Sequence, residues 1–171
     1  NESRKELTRQ GEAKAIELVE TSPLQNDKVL VVYLPDCHES LAGIIAGRLR
    51  EHFHKPSFVL TRSEEGVKGS GRSIEAYSMY EELCKCKELM TKFGGHPKAG
   101  GFSLRPEDVE TFRQMVYAYC RECYPKMPEY SVSADMEITG DCLTVEQVTE
   151  LMKLEPCGEG NRKPVFLLRN C

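Results

Sequence analysis

Residues 29–61 read VLVVYLPDCHESLAGIIAGRLREHFHKPSFVLT, and this stretch decides the fold. Val29 to Leu34 is an unbroken aliphatic and β-branched run closed by Pro35, the pattern of a strand buried on both faces. From Ser40 to Phe53 the apolar residues Leu41, Ile44, Ile45, Leu49 and Phe53 recur at helical spacing and predict one buried face. Pro56 stops that helix, and Ser57 to Thr61 reads as a second strand. Strand, helix and strand in succession predict an α/β fold.

The same reading extends outward. Residues 3–20 alternate charge and aliphatic at helical spacing, with Leu7, Ala15, Ile16 and Val19 as candidate buried positions. Val67 to Ile74 is a third strand thinned by two glycines, and Met79 to Met90 is helical. A Gly-rich turn and a short strand, Gly101 to Leu104, follow. Pro106 opens a further helix to about Tyr124, with Glu107 and Asp108 at the positive end of its dipole. A mixed or parallel sheet flanked by helices is therefore expected over residues 25–124. Pro125 and Pro128 mark a change of composition. Beyond them lie a strand from Tyr130 to Ile138, a helix from Thr144 to Leu154 with a Thr144–Gln147 capping box, and an apolar run from Val165 to Leu168. Residues 125–171 read as the opening of a second, β-rich module.

Hydrophobic residues make up 40% of the 171 and charged residues 29%, enough for a core and ordinary for a soluble protein. No apolar run approaches the roughly 18 residues of a membrane span, so no membrane partner and a cytoplasmic location are expected. The chain opens without Met and stops inside the run Pro164–Leu168, and is expected to be a piece of a longer polypeptide. Eight cysteines (Cys37, Cys84, Cys86, Cys120, Cys123, Cys142, Cys157 and Cys171) are scattered along the chain. Cys84 and Cys86 diverge by about 200° on a helix and cannot share a face. Free thiols are expected, not a zinc site or disulfides. The net charge is −4, but residues 38–105 alone carry 11 basic and 8 acidic side chains. That excess is compatible with one local phosphate-binding face on an acidic body.

Three segments carry candidate chemistry. Phe93-Gly94-Gly95-His96-Pro97-Lys98-Ala99-Gly100-Gly101 packs four glycines into nine residues, and its backbone N–H groups, with His96 and Lys98, suit an anion. It reads equally as a plain glycine turn with a surface histidine. Gly69-Ser70-Gly71-Arg72-Ser73 presents a planar, permanently charged fork among small hydroxyl neighbours, fit for a phosphate, or else an edge strand with an outward arginine. Asp36-Cys37-His38-Glu39-Ser40 sits at a strand-to-helix junction, the usual place for ligand contact in open α/β sheets. Substrate contact or local scaffolding is expected for His38, and no metal. There is no Walker loop, nucleophile elbow, HExxH or aspartate cluster for two metal ions.

The order His38…Gly43-Ile44-Ile45-Ala46-Gly47-Arg48-Leu49, then Gly69-Ser70-Gly71-Arg72-Ser73-Ile74, then Phe93-Gly94-Gly95-His96…Ala99-Gly100-Gly101 resembles the DHH-associated domain of RecJ-like proteins. Leu154-Glu155-Pro156-Cys157-Gly158-Glu159-Gly160-Asn161…Pro164-Val165-Phe166 is similar to the entry of their oligonucleotide-binding barrel, and residues 1–20 resemble the end of the helix joining their two core domains. Gly100 replaces the usual Ala, Cys157 the usual aromatic, and Arg162-Lys163 part the Asn-Pro pair. The resemblance divides the chain into 1–24 (connecting helix), 25–124 (substrate-binding domain) and 125–171 (linker and start of the barrel).

It implies a 5′-to-3′ single-stranded-DNA exonuclease whose Mn2+ or Mg2+ is held by an upstream DHH domain outside this chain, with no cofactor in these residues. By the same resemblance, Arg72, Ser70 and Ser73 hold phosphate. His96 on the Gly94-Gly95 turn reaches the scissile phosphate and supports the transition state, and His38 lines the cleft. Lys98 and Arg48 are lesser backbone contacts. Other readings are a DHH-family oligoribonucleotide or cyclic-dinucleotide phosphodiesterase, an RNA-binding module of alanyl-tRNA synthetase type, and a merely structural domain. The DNA reading requires Arg72 and His96 to converge on one side of the sheet.

Overall fold

Leu30–Tyr33 (β1) and Ser57–Ser63 (β2) run parallel, as a strand–helix–strand crossover requires, with Val32 opposite Val59. The structure, a computed structural model, describes residues 2–127, 131–158 and 160–169. Pro128, Tyr130, Glu159 and Cys171, each named above, lie outside the described residues. From β2 the chain turns through Glu64 and Glu65 into Gly66–Arg72 (β3), which pairs antiparallel with it. Met90–His96 (β4) and Ala99–Leu104 (β5) form a hairpin whose second strand lies against β3, so the sheet is mixed and ordered β1-β2-β3-β5-β4.

Alternate strand residues feed two cores. Leu30, Val32 and Val59 pack under the helices Glu2–Glu20 (α1) and Ala42–Phe53 (α2). Val31, Phe58, Leu60, Val67, Phe102 and Leu104 face the other way, against Met79–Lys85 (α3) and Val109–Cys123 (α4). There the Phe58, Phe102 and Phe112 rings meet at centroid distances of 5.9, 5.5 and 4.7 Å, contacts worth ~0.5–1.5 kcal/mol each beyond area burial.

Three expectations need correction. Leu7 and Ile44, expected on buried faces, are 50% and 41% exposed. Ala15 and Val19 on α1, with Leu41, Ile45 and Leu49 at α2, suffice to fill that core. The segment before Gly101 is a strand, β4, and not a turn. Its two glycines and its exposed edge position leave no burial alternation to read. The α3 helix also stops at Lys85, and a 3-10 turn, Lys87–Leu89, leads into β4.

The chain divides into two compact units, Asn1–Pro128 and Glu129–Cys171. In the second, Met136–Ile138 (β6) pairs parallel with Phe166–Leu168 (β7), a shorter strand than Tyr130–Ile138 predicted. Val145–Leu151 (α5) begins at Thr144 with the expected capping box to Gln147 and ends in a 3-10 turn, Met152–Leu154. Cys37, Cys84, Cys86, Cys120, Cys123, Cys142 and Cys157 are free thiols. No helix among the described residues is long and apolar enough to cross a membrane.

Candidate nucleic-acid interface

Because α1 and α2 cover β1 and β2 but reach no further than β3, one face of β5 and β4 is left bare. Cross-strand register defines what that face presents. Arg72, Ala99 and His96 stand in one row across β3, β5 and β4; Ser70, Gly101 and Gly94 form the next; Lys68, Ser103 and Lys92 form the third. Laterally aligned residues project to the same side of a sheet, so Arg72 and His96 share a face, roughly 9–10 Å apart across one intervening strand. A β-carbon added at Gly94 would meet nothing within 4 Å, and one at Gly101 only the Gly69 carbonyl at 3.9 Å. The middle row is thus a floor of open backbone. The wall is the N-terminal part of α2, and the hollow between wall and floor measures about 500 Å³, lined by Ser40, Gly43, Lys68, Ser70, Gly101 and Ser103 among others.

Arg72 stands one row beyond Ser70, outside the lining of this hollow. Its Nη1 donates to Ser70 Oγ at 3.1 Å and to the Gly71 carbonyl at 2.8 Å, and its guanidinium lies against Gly43, where a β-carbon would come within 2.8 Å of Nη2. It has no carboxylate partner among the described residues. Burial first, and then the positive charge of Arg50, pull its pKa below the usual arginine value, although a guanidinium stays charged in any protein. Arg50 follows Gly43 by seven residues, two helical turns, and so shares its face of α2. Arg50 is itself paired with Glu51 at 2.9 Å, so the group short of an anion is the half-buried Arg72.

His96 stands on the edge strand β4, opposite Ala99. The loop Pro97-Lys98 holds it at the tip of the hairpin, where its Nδ1 accepts the Lys98 N–H at 3.3 Å. The neutral ring therefore carries its proton on Nε2, which is left to act as a donor. The tip is clamped to the segment leading into α3 by Ser73 N–H donating to the Lys98 carbonyl and Met79 N–H to the Pro97 carbonyl, both at 2.9 Å.

Several predicted residues fall elsewhere. Ser73 is 3% exposed and its hydroxyl donates to the Tyr77 carbonyl, so it is spent on the core and not available to a phosphate. Arg48 is turned about 140° from Gly43 around α2 and pairs with Glu12 and Glu51 at 4.0 and 3.3 Å. Lys98 pairs with Glu75 at 3.6 Å. His38 caps the 3-10 turn before α2, its Nδ1 accepting the Ser40 N–H at 3.2 Å, and lines a neighbouring hollow. Gly69 and Gly71 make room for core side chains. A β-carbon at Gly69 would lie 2.1 Å from Phe102 Cζ and one at Gly71 2.5 Å from Met79 Sδ. Arg50, Lys68, Lys92 and Gly43 were missed. The spacing of seven from Gly43 to Arg50, and the shared parity of Lys68, Ser70 and Arg72, were the available signals. Among the described residues no group of three His, Cys, Asp or Glu side chains could hold a metal ion.

The DHHA1 domain matches residues 26–122, and the chain belongs to that family. A RecJ OB domain matches residues 134–171 directly after it. The chain is similar to the single-stranded-DNA-specific exonuclease RecJ of Bacillus subtilis, 32% identical over 173 residues, covering 99% of this chain and 22% of that protein. The Escherichia coli protein of the same name is 31% identical over 175 residues, covering 97% of this chain and 30% of its own length. The chain thus spans less than a third of these relatives. Crystal structures of RecJ from Thermus thermophilus in complex with Mg2+ and with Mn2+ each superpose with a TM-score of 0.78 at 31% identity. They cover 97% and 98% of this chain and 25% and 24% of theirs.

Proposed function

We propose that this chain is the substrate-holding part of a RecJ-like 5′-to-3′ single-stranded-DNA exonuclease, acting in the cytoplasm beside a DHH domain of the same polypeptide. In this reading residues 1–24 end the connecting helix, 25–124 bind substrate and 125–171 lead into the oligonucleotide-binding barrel. The observation that carries it is Arg72, half-buried, without a carboxylate partner among the described residues, and standing beside an open backbone floor. Arg72 with Ser70, and Arg50 beside them, take a phosphate. His96 donates through Nε2 to a phosphoryl oxygen nearer the reacting bond and steadies charge that develops there. In this reading the Mg2+ or Mn2+ is held by the DHH domain, and no chemical step is assigned to it here. The RecJ OB match after the DHHA1 domain favours this reading over the smaller oligoribonucleotide and cyclic-dinucleotide phosphodiesterases. Matched DNA and RNA oligomers separate it from an RNA-binding role, which predicts preference for the 2′-hydroxyl.

In the polypeptide that joins these residues to the DHH domain, Arg72→Ala is expected to lower single-stranded-DNA cleavage by about 10- to 100-fold, the worth of a charge-assisted forked contact. Arg72→Lys restores little of it, because an ammonium lacks the planar fork. The thermal midpoint stays level or rises, since the mutation removes an unpaired charge near Arg50. Parental turnover in Arg72→Ala sinks the assignment.

A further inference from the structure

The third row of the floor differs from the first. Lys68 Nζ donates to Glu39 Oε1 at 2.8 Å, and Lys92 lies 3.7 Å from Glu65, whereas Arg72 has no such partner among the described residues. Glu39 comes from the wall, at the start of the 3-10 turn Glu39–Leu41 that leads into α2, and Lys68 from the floor. Their pair therefore bridges the groove. It also divides it: Glu39 and Lys68 are common to the linings of the 500 Å³ hollow beside Ser70 and of a 640 Å³ hollow lined by His38 and Arg62. The Glu39 hydrogen bond is the main influence raising the Lys68 pKa, so the lysine stays charged.

We propose that Lys68 is a second backbone-phosphate subsite for single-stranded DNA, held shut by the Glu39 carboxylate, which a phosphodiester must displace. This rests on the reading of Arg72 as the first phosphate site. A carboxylate oxygen takes the same ammonium donors that a phosphate oxygen takes. The side chains are 45% and 36% exposed, so water screens the pair and exchange costs little. Arg72 and Lys68 lie two rows apart, roughly 13–14 Å along the strand, beyond the reach of a single nucleotide. A strand already anchored at Arg72 brings its later phosphates to Lys68 at high effective concentration, which a mononucleotide cannot do. Glu39 is thus a specificity-determining residue that favours length.

The test uses the polypeptide with its DHH domain, metal removed by chelation so that the strand is bound and not cut. The probes are a 5′-phosphorylated oligothymidylate and thymidine 5′-monophosphate. Glu39→Gln is expected to tighten oligomer binding about two- to fivefold. It should also steepen the log–log salt dependence by ~0.7, one further phosphate contact on a single strand. The mononucleotide affinity stays unchanged, and adding Lys68→Gln to Glu39→Gln removes the gain. An equal gain for both probes reduces Glu39 to a diffuse charge effect and overturns the gate. No gain for the oligomer, while Arg72→Ala still weakens binding, overturns the gate alone. Oligomer binding that ignores Arg72→Ala overturns both the gate and the site it rests on.

Discussion

Gly69→Ala is expected to lower the stability of the first unit by about 2–3 kcal/mol, and Gly101→Ala to leave it level or raise it by up to ~1 kcal/mol. Gly69 is paired with Phe102 and Gly101 with Ser70, so the two glycines sit one register position apart and point through opposite faces of the sheet. At Gly69 a methyl group would sit 2.1–2.6 Å from three atoms of the Phe102 ring, which cannot yield because it packs against Phe58 and Phe112. At Gly101 the nearest atom is a carbonyl oxygen at 3.9 Å. The gain there comes from reduced freedom of the unfolded chain. Thermal unfolding followed by circular dichroism should show Gly69→Ala melting roughly 8–12 °C lower. Equal losses in both variants would mean that Gly101 faces a packed layer, and the open floor would vanish with it.

Glu82 governs the second large effect. Its side chain, on α3, is fully buried, the Tyr77 hydroxyl donates to Oε2, and Oε1 has no partner among the described residues. Burial pushes its pKa from the ordinary 4.5 up to about 8, opposed only in part by the Tyr77 bond. Between those values the native protein keeps a proton that the unfolded chain releases. Stability therefore falls as pH rises from 4.5 to 8, by on the order of 3–5 kcal/mol in total. Glu82→Gln keeps the shape and cannot ionise. Its urea midpoint is expected to stay nearly flat over that window and to exceed the parent's above pH 8. Parallel pH profiles for parent and variant would show that Glu82 is ionised in the native state. The same burial, with the Glu82 charge adding to it, pushes the Cys86 thiol up to about 12 and Cys120 up to about 11, which keeps both protonated and unreactive.

How far such features can be read in a sequence depends on whether burial leaves a pattern. β1, β2 and α2 were legible because their apolar residues are sorted by the layer they enter. β4 was not, since an exposed edge strand of Gly-Gly-His sorts nothing. The candidate site was legible as a set of segments but not as a set of side chains. Arg48 and Arg50 sit two residues apart on one helix, and only the helix's rotation, fixed by Ile45 and Leu49 in the core, turns Arg50 and not Arg48 toward Arg72. Ser70 and Ser73 differ in the same way by strand parity. Glycine was ambiguous for a related reason: Gly69 is needed by a neighbouring ring and Gly101 by an empty space, and composition cannot distinguish the two.

The hairpin clamp has a consequence for sequence drift. The tip that carries His96 is fastened through the carbonyls of Pro97 and Lys98 and the amides of Ser73 and Met79, all main-chain atoms. Replacing the side chain of Lys98 therefore removes only its exposed ion pair with Glu75 and leaves the main-chain fastening of the imidazole's hairpin intact.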